Sequence, residues 1–180
     1  IATDGGLKDT AVLATSFFLA PGERVDILVD FSSYALNQSV MLKSLPFTGG
    51  GGSQGIELNI LRFDVTGTQS SGGIVPPTLP PISYYNPADV VRTRSFTLTM
   101  AMGGGGMHRI NNLTYELNRI DYEVPGNDLE EWRIINGTTL FHPMHVHGVL
   151  FQVLSRNGST NLPPSDIGWK DTVLVNPGET

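Results

Sequence analysis

Three of the chain's four histidines fall within six residues, in Leu140-Phe141-His142-Pro143-Met144-His145-Val146-His147-Gly148. Neutral imidazole is a common metal ligand, and a cluster this dense points to metal chemistry. His145 and His147 are two apart, so on a strand both face the same way. Their ring nitrogens then reach one metal or two adjacent metals. His142 stands beyond Pro143, which cannot donate to a sheet ladder and marks an edge or irregularity. His142 need not share that face, so it is free to serve a different metal. Imidazole suits copper, zinc, iron and nickel alike, so ligand type selects none of them.

The competing reading is a set of buried, hydrogen-bonded histidines in an apolar strand. That fits one histidine better than an H-x-x-H-x-H run. Two other β metal sites are tested by their further ligands. A cupin-type barrel wants a Glu three or four residues after the pair, where Leu150 and Phe151 stand. A carbonic-anhydrase-type site wants a later His, and none follows His147. His108, after the Gly103-Gly104-Gly105-Gly106 run, has no partner His nearby in sequence and is expected to be structural or exposed.

The elements that must position these residues read as short strands. Helical candidates at 86–91 and 126–131 are too short for ordinary helices. Alternation in Val25-Asp26-Ile27-Leu28-Val29-Asp30-Phe31 predicts a half-buried strand, entered through the turn Ala20-Pro21-Gly22-Glu23. A strand is expected at 40–45. In 56–65 the apolar face runs Ile56, Leu58, Ile60 and then shifts to Leu61, Phe63, Val65, which predicts a β-bulge. Gly49 to Gly55 reads as a flexible loop. Phe96, Leu98, Met100 and Met102 share a face of one strand, and further strands are expected at 114–118, 131–135, 149–154 and 171–175. The fold class is all-β, a sandwich or barrel in two units. The first unit covers 1–67. Residues 68–91 form a Pro/Gly-rich linker with Pro76-Pro77 and Pro80-Pro81, and the second unit covers 92–180.

Composition agrees. The 180 residues contain 21 Gly and 12 Pro, about 18% together against roughly 12% in average proteins. Hydrophobic residues are 39% and charged residues 16%, too apolar for disorder, and no apolar run is long enough to span a membrane. With 11 Lys and Arg, a net charge of −6 and no basic cluster, nucleic acid is not an expected partner. There is no Cys, which removes disulfides, thiolate ligands and a Cys nucleophile from this chain. The chain opens at Ile1, so a mature, cleaved or partial polypeptide is expected.

With its neighbours, the histidine segment resembles the multicopper oxidases, in the branch of bacterial laccases, spore-coat oxidases, cuprous oxidases and bilirubin oxidases. The matching motifs are His142-Pro143-Met144-His145-Val146-His147-Gly148, Phe151-Gln152-Val153-Leu154 and Gly168-Trp169-Lys170-Asp171-Thr172-Val173. Ala20-Pro21-Gly22-Glu23-Arg24-Val25-Asp26-Ile27-Leu28-Val29 resembles a second-domain strand of the family. Ile110-Asn111-Asn112 and Asn118-Arg119-Ile120-Asp121 resemble the start of its third domain. The resemblance implies cupredoxin-like Greek-key domains: 1–67 the later part of a second, and 92–180 the first part of a third, copper-binding one. It implies type 1 copper at His142, type 2 copper at His145 and type 3 copper at His147. The implied activity takes single electrons from a small reducing substrate, phenol-like or a metal ion, and reduces dioxygen to water at a three-copper cluster. The implied partners are remaining segments of the same oxidase. They would carry two first-domain HxH motifs and a C-terminal His-Cys-His segment, which supplies the thiolate this chain lacks. The implied location is periplasmic, spore-surface or extracellular.

Two other functions compete: a copper-free relative acting as a scaffold or binding protein, and a one-copper electron carrier. The missing Cys and the two-unit length weigh against the carrier. Met100, Met102 and Met107 flank the glycine run, where thioethers suit Cu(I), although alternating core methionines are the plainer reading. Asp171 is a candidate to hydrogen-bond near the metal ligands or simply to start a strand. Asn37, Asn112, Asn136 and Asn157 each begin an N-x-S/T glycosylation sequon.

Overall fold

Alternating apolar residues pair into short strands wherever a neighbouring strand satisfies their backbone groups. The structure, a computed structural model, describes residues 1–49, 52–67, 73–101 and 108–180. In chain order the strands are β1 (Ala2–Thr3), β2 (Gly6–Leu7), β3 (Ser39–Ser44), β4 (Phe47–Gly49), β5 (Gly52–Gln54) and β6 (Leu58–Asp64). They continue with β7 (Val90–Met100), β8 (His108–Ile110), β9 (Leu129–Asn136), β10 (His142–His145) and β11 (Thr172–Val175). Among the described residues the only helical elements are two single 3₁₀ turns, Pro87–Asp89 and Pro164–Asp166. The first is capped by the Asn86 side chain, which accepts from Ala88 N.

The largest sheet runs β8-β7-β9, with β7 antiparallel to β8 and parallel to β9. Its inner face buries Phe96 and Leu98, as their alternation predicts. Phe96 packs against Trp132 and Tyr122 at ring-centroid distances of 4.7 and 5.4 Å. β3 pairs with β6, and the register skips Ile60 between Leu42↔Leu61 and Lys43↔Asn59. The bulge therefore falls at the phase change in the sequence. β10 pairs with β11, from His142↔Val175 to His145↔Thr172. Pro143 lies within this two-stranded sheet, where every strand is an edge.

Four expected elements differ. Residues 25–31 make one bridge, Ala2↔Asp26, and Ile27, Leu28 and Val29 are 44%, 61% and 45% exposed. Alternation marks a surface ready for burial, but a strand also needs a hydrogen-bonding neighbour, and among the described residues the pairing with this segment is the bridge to Ala2. Residues 114–118 form no strand: 117–118 lie in a turn, and Tyr115 and Leu117 are exposed. Residues 149–154 contribute only the bridge Phe151↔Lys170. In the glycine run at 49–55, β4 and β5 pair antiparallel, from Phe47↔Gln54 to Gly49↔Gly52. Met102, Met107 and the glycines between them lie outside the described residues.

The N-terminal stretch docks on the segment that leads into β11. Gly5 N donates to Trp169 O at 2.9 Å, and Thr3 Oγ1 to the same carbonyl at 2.8 Å. The approach excludes any side chain at position 5, where a Cβ would lie 2.5 Å from the Trp169 Cβ. Lys8 Nζ donates to the carbonyls of Pro164 and Ile167. Burial pushes its ammonium below the usual lysine range. Lys170, 2% exposed, is held by Asp4 at 3.4 Å and Glu23 at 3.1 Å.

Among the described residues the buried apolar side chains are few: Ala2, Ala20, Phe96, Leu98, Val173 and Val175. Leu13, Ile74, Leu117 and Ile120 are 77–100% exposed. So much bare apolar surface does not sustain a cooperative fold. The 180-residue chain purified alone is expected to show no cooperative monomeric unfolding transition by calorimetry; a sharp two-state melt of a monomer would contradict this.

Candidate metal centre

Strand geometry sorts the three clustered histidines. Along β10, His142 and Met144 are half-buried on one face, while Pro143 and His145 are exposed on the other. β10 ends at His145. His147 lies in the following turn, which Gly148 completes with φ +88°. The shared strand face expected for His145 and His147 is thus replaced by a strand end and a turn. The outcome for the rings is similar: their centroids lie 5.8 Å apart. Both rings line an open cleft with Val149, Leu150 and Asp171. Among the described residues, no three His, Cys, Asp or Glu side chains converge into one metal-holding group. Among the described residues the three clustered histidines form a close pair and a separate single one.

Second partners decide which nitrogen each ring offers. His145 Nδ1 lies 2.9 Å from the Asp171 backbone carbonyl and 3.0 Å from Thr172 Oγ1. A carbonyl only accepts, so Nδ1 carries a proton, and on a neutral ring Nε2 keeps the lone pair. This is the donor form a metal needs. His142 Nε2 lies 2.8 Å from Thr138 Oγ1, which leaves Nδ1 without a hydrogen-bond partner among the described residues. Burial lowers the His142 pKa, and neighbouring His108 lowers it further. Both effects favour the neutral ring. His108, expected to be structural or exposed, is exposed, and its ring meets His142 edge-on, with centroids 5.2 Å apart. The contact joins β8 to β10, strands of two different sheets, so no spacing in sequence announces it.

Asp171 occupies both roles left open for it. It precedes β11, and its carboxylate lies 3.5 Å from His145 Nδ1. Arg24 grips that carboxylate with two nitrogens, each at 2.6 Å. The guanidinium holds the Asp171 carboxyl down at about 2, with Thr172 Oγ1 assisting. Arg24 and Asp4 are site residues that motif reading missed as such. Asp4 accepts from the backbone N–H groups of Asp171 and Thr172 at 3.3 and 3.2 Å. The pattern Pro21-Gly22-Glu23-Arg24 was visible, but its contact with position 171 is made only in three dimensions. Asn136, read as a sequon, is 1% exposed with its amide donating to three carbonyls, so the folded chain does not present it for glycosylation.

Comparison with known proteins settles the family. The sequence profile described as multicopper oxidase matches residues 76–180. The chain belongs to the multicopper oxidase family. It is 32% identical over 200 residues to a laccase of Bacillus subtilis, covering 99% of this chain and 39% of the laccase. It is 32% identical over 183 residues to the cell division protein FtsP of Dickeya dadantii, covering 97% and 37%. The structure superposes on the McoA multicopper oxidase of Aquifex aeolicus with a TM-score of 0.84 and 31% identity, covering 99% of this chain and 40% of that one. The architecture is therefore all-β and cupredoxin-like. The chain spans about two fifths of the length of these relatives.

Arg24→Ala is expected to change the pH dependence of stability. Asp171 ionises at about 2 when folded and near about 3.9 when unfolded. The stabilisation this depressed value represents is present above about pH 4 and is lost as pH falls through about 2. Denaturant titrations of the complete polypeptide should show wild type more stable than Arg24→Ala at pH 6, with the gap closing toward pH 2. A gap that stays constant over that range would contradict the linkage.

Proposed function

We propose that this chain is part of a copper-dependent, laccase-type oxidase. The observation that carries this is the division of the histidines into an adjacent pair, His145 and His147, and a separate His142 on the opposite strand face. Residues 1–67 would belong to a second cupredoxin domain, 68–91 to a linker, and 92–180 to a third domain. His142 would hold type 1 copper, His145 type 2 and His147 type 3. When bound, type 1 copper accepts single electrons from a small reducing substrate and the three-copper cluster reduces dioxygen to water. The donor set fits that metal: His142 and His145 each have one nitrogen engaged by a hydrogen-bond partner and the other left for coordination.

The chain's own residues hold and orient. Asp171 O fixes the His145 tautomer, and Arg24 and Asp4 fix Asp171. The open cleft beside His145 and His147 gives a small molecule access. The remaining ligands, including the Cys thiolate of type 1 copper, would come from other segments of the same polypeptide. Those segments would also cover the exposed apolar surface. A periplasmic, spore-surface or extracellular location fits this reading. The kinship with a cell division protein motivates a second reading, a copper-free scaffold of the same fold. The three clustered histidines, two of them with one ring nitrogen held by a hydrogen-bond partner, favour the oxidase.

Variants of the complete enzyme separate these roles. His145→Ala and His147→Ala should abolish oxygen reduction while largely retaining type 1 copper, read by oxygen consumption with absorption spectroscopy. Full turnover in either variant would refute the cluster assignment. His142→Ala should lose or strongly alter the blue thiolate-to-copper band and block oxidation of reducing substrates. An unchanged band with an unchanged copper count would refute its assignment. A complete wild-type polypeptide that binds no copper would favour the scaffold.

A further inference from the structure

We infer that Thr138 is a positioning residue for His142: its hydroxyl holds the ring as the Nε2–H tautomer and leaves the Nδ1 lone pair for a metal. The inference deepens the proposed function, since its consequence for copper rests on His142 being the type 1 ligand.

The argument starts at Asn136, which is 1% exposed. One side-chain atom of Asn136 lies 2.8, 3.1 and 2.9 Å from the carbonyl oxygens of Leu140, Val175 and Asn176. Carbonyls only accept, so that atom is the amide nitrogen and the other is the oxygen. The oxygen accepts from Thr138 N at 3.0 Å and lies 2.8 Å from Thr138 Oγ1. Two oxygens at that distance need a proton between them. Asn136 Oδ1 has none, so the Thr138 hydroxyl supplies it. The other acceptor in reach, Leu140 O at 3.3 Å, would also draw that proton away from the histidine.

With its single proton committed, Thr138 Oγ1 can only accept from its other neighbours. It accepts from Leu140 N at 3.2 Å and meets His142 Nε2 at 2.8 Å. The proton between Thr138 and His142 therefore belongs to His142 Nε2. On a neutral ring this leaves Nδ1 unprotonated. The relay runs from the ring to Thr138 to Asn136, and Asn136 is anchored to the backbone at the end of β11, on Val175 O and Asn176 O. The tautomer of His142 is thus set by the joining of β9 to the end of β11, through residues that touch no metal.

The test uses the complete polypeptide with histidine labelled in nitrogen-15. In copper-free wild type, proton–nitrogen correlation should show His142 with a protected Nε2–H and an unprotonated Nδ1. Thr138→Val should lose the protected Nε2–H signal, and Thr138→Ser should keep it. If the valine variant does not fold, Thr138→Ala against Thr138→Ser makes the same comparison. In copper titrations followed by the blue band, Thr138→Val should weaken type 1 affinity by roughly 10–100-fold, the range for outer-shell partners of histidine ligands, with Thr138→Ser restoring it. An Nε2–H signal that keeps its protection without the hydroxyl would overturn the inference. So would a type 1 affinity unchanged in Thr138→Val while His142→Ala abolishes the blue band. If His142→Ala leaves the band intact, the copper assignment fails instead, and the metal-free measurement still decides the role of Thr138.

Discussion

An imidazole presents a lone pair in a fixed direction only when its second nitrogen is held. In this chain one antiparallel pairing, β10 with β11, arranges that for two histidines at once. The register His145↔Thr172 brings the carbonyl of Asp171 to His145 Nδ1. The same register sets His142 opposite Val175, whose carbonyl, with that of Asn176, anchors the Asn136 amide. A slip of one residue would turn His142 to the exposed face and His145 inward. Both hydrogen-bond supports would be lost together.

That pairing is stabilised from the far end of the sequence. Asp4 accepts from the backbone at 171 and 172, Lys170 sits between Asp4 and Glu23, and Arg24 clamps Asp171. A buried lysine such as Lys170 is tolerable only with its partners in place, since an unpaired buried charge is costly. The network therefore favours one docking of residues 1–26 against 164–172. Its consequence reaches the face that carries His145 through Asp171, which connects how the N-terminal stretch packs to how a histidine ring is aimed.

Legibility in the sequence followed the range of the forces involved. The bulge at Ile60 was visible because a change of alternation is a local property, and so was the burial of Phe96 and Leu98. Residues 25–31 have equally clear alternation and still lack a ladder, because pairing depends on what lies alongside. The same limit applies at 114–118 and 149–154. At the site, the motif exposed the three histidines but not Thr138, Asn136, Arg24 or Asp4. Thr138 is only four residues from His142, yet its role depends on Asn136 being pinned by carbonyls some forty residues on.

The sequence by itself determined the chemistry available: three imidazoles in six residues, no thiolate, and short strands in place of helices. Side-chain period two also determined that His142 and His145 would face opposite ways if the segment were a strand. Only the tertiary structure decided which nitrogen each ring would offer, that His108 would meet His142, and that Arg24 would hold Asp171. Residue types and periodicity are properties of the chain and can be read along it. Proton positions and ion pairs depend on which donors and acceptors arrive within about 3 Å, and that is settled only when distant segments pack together.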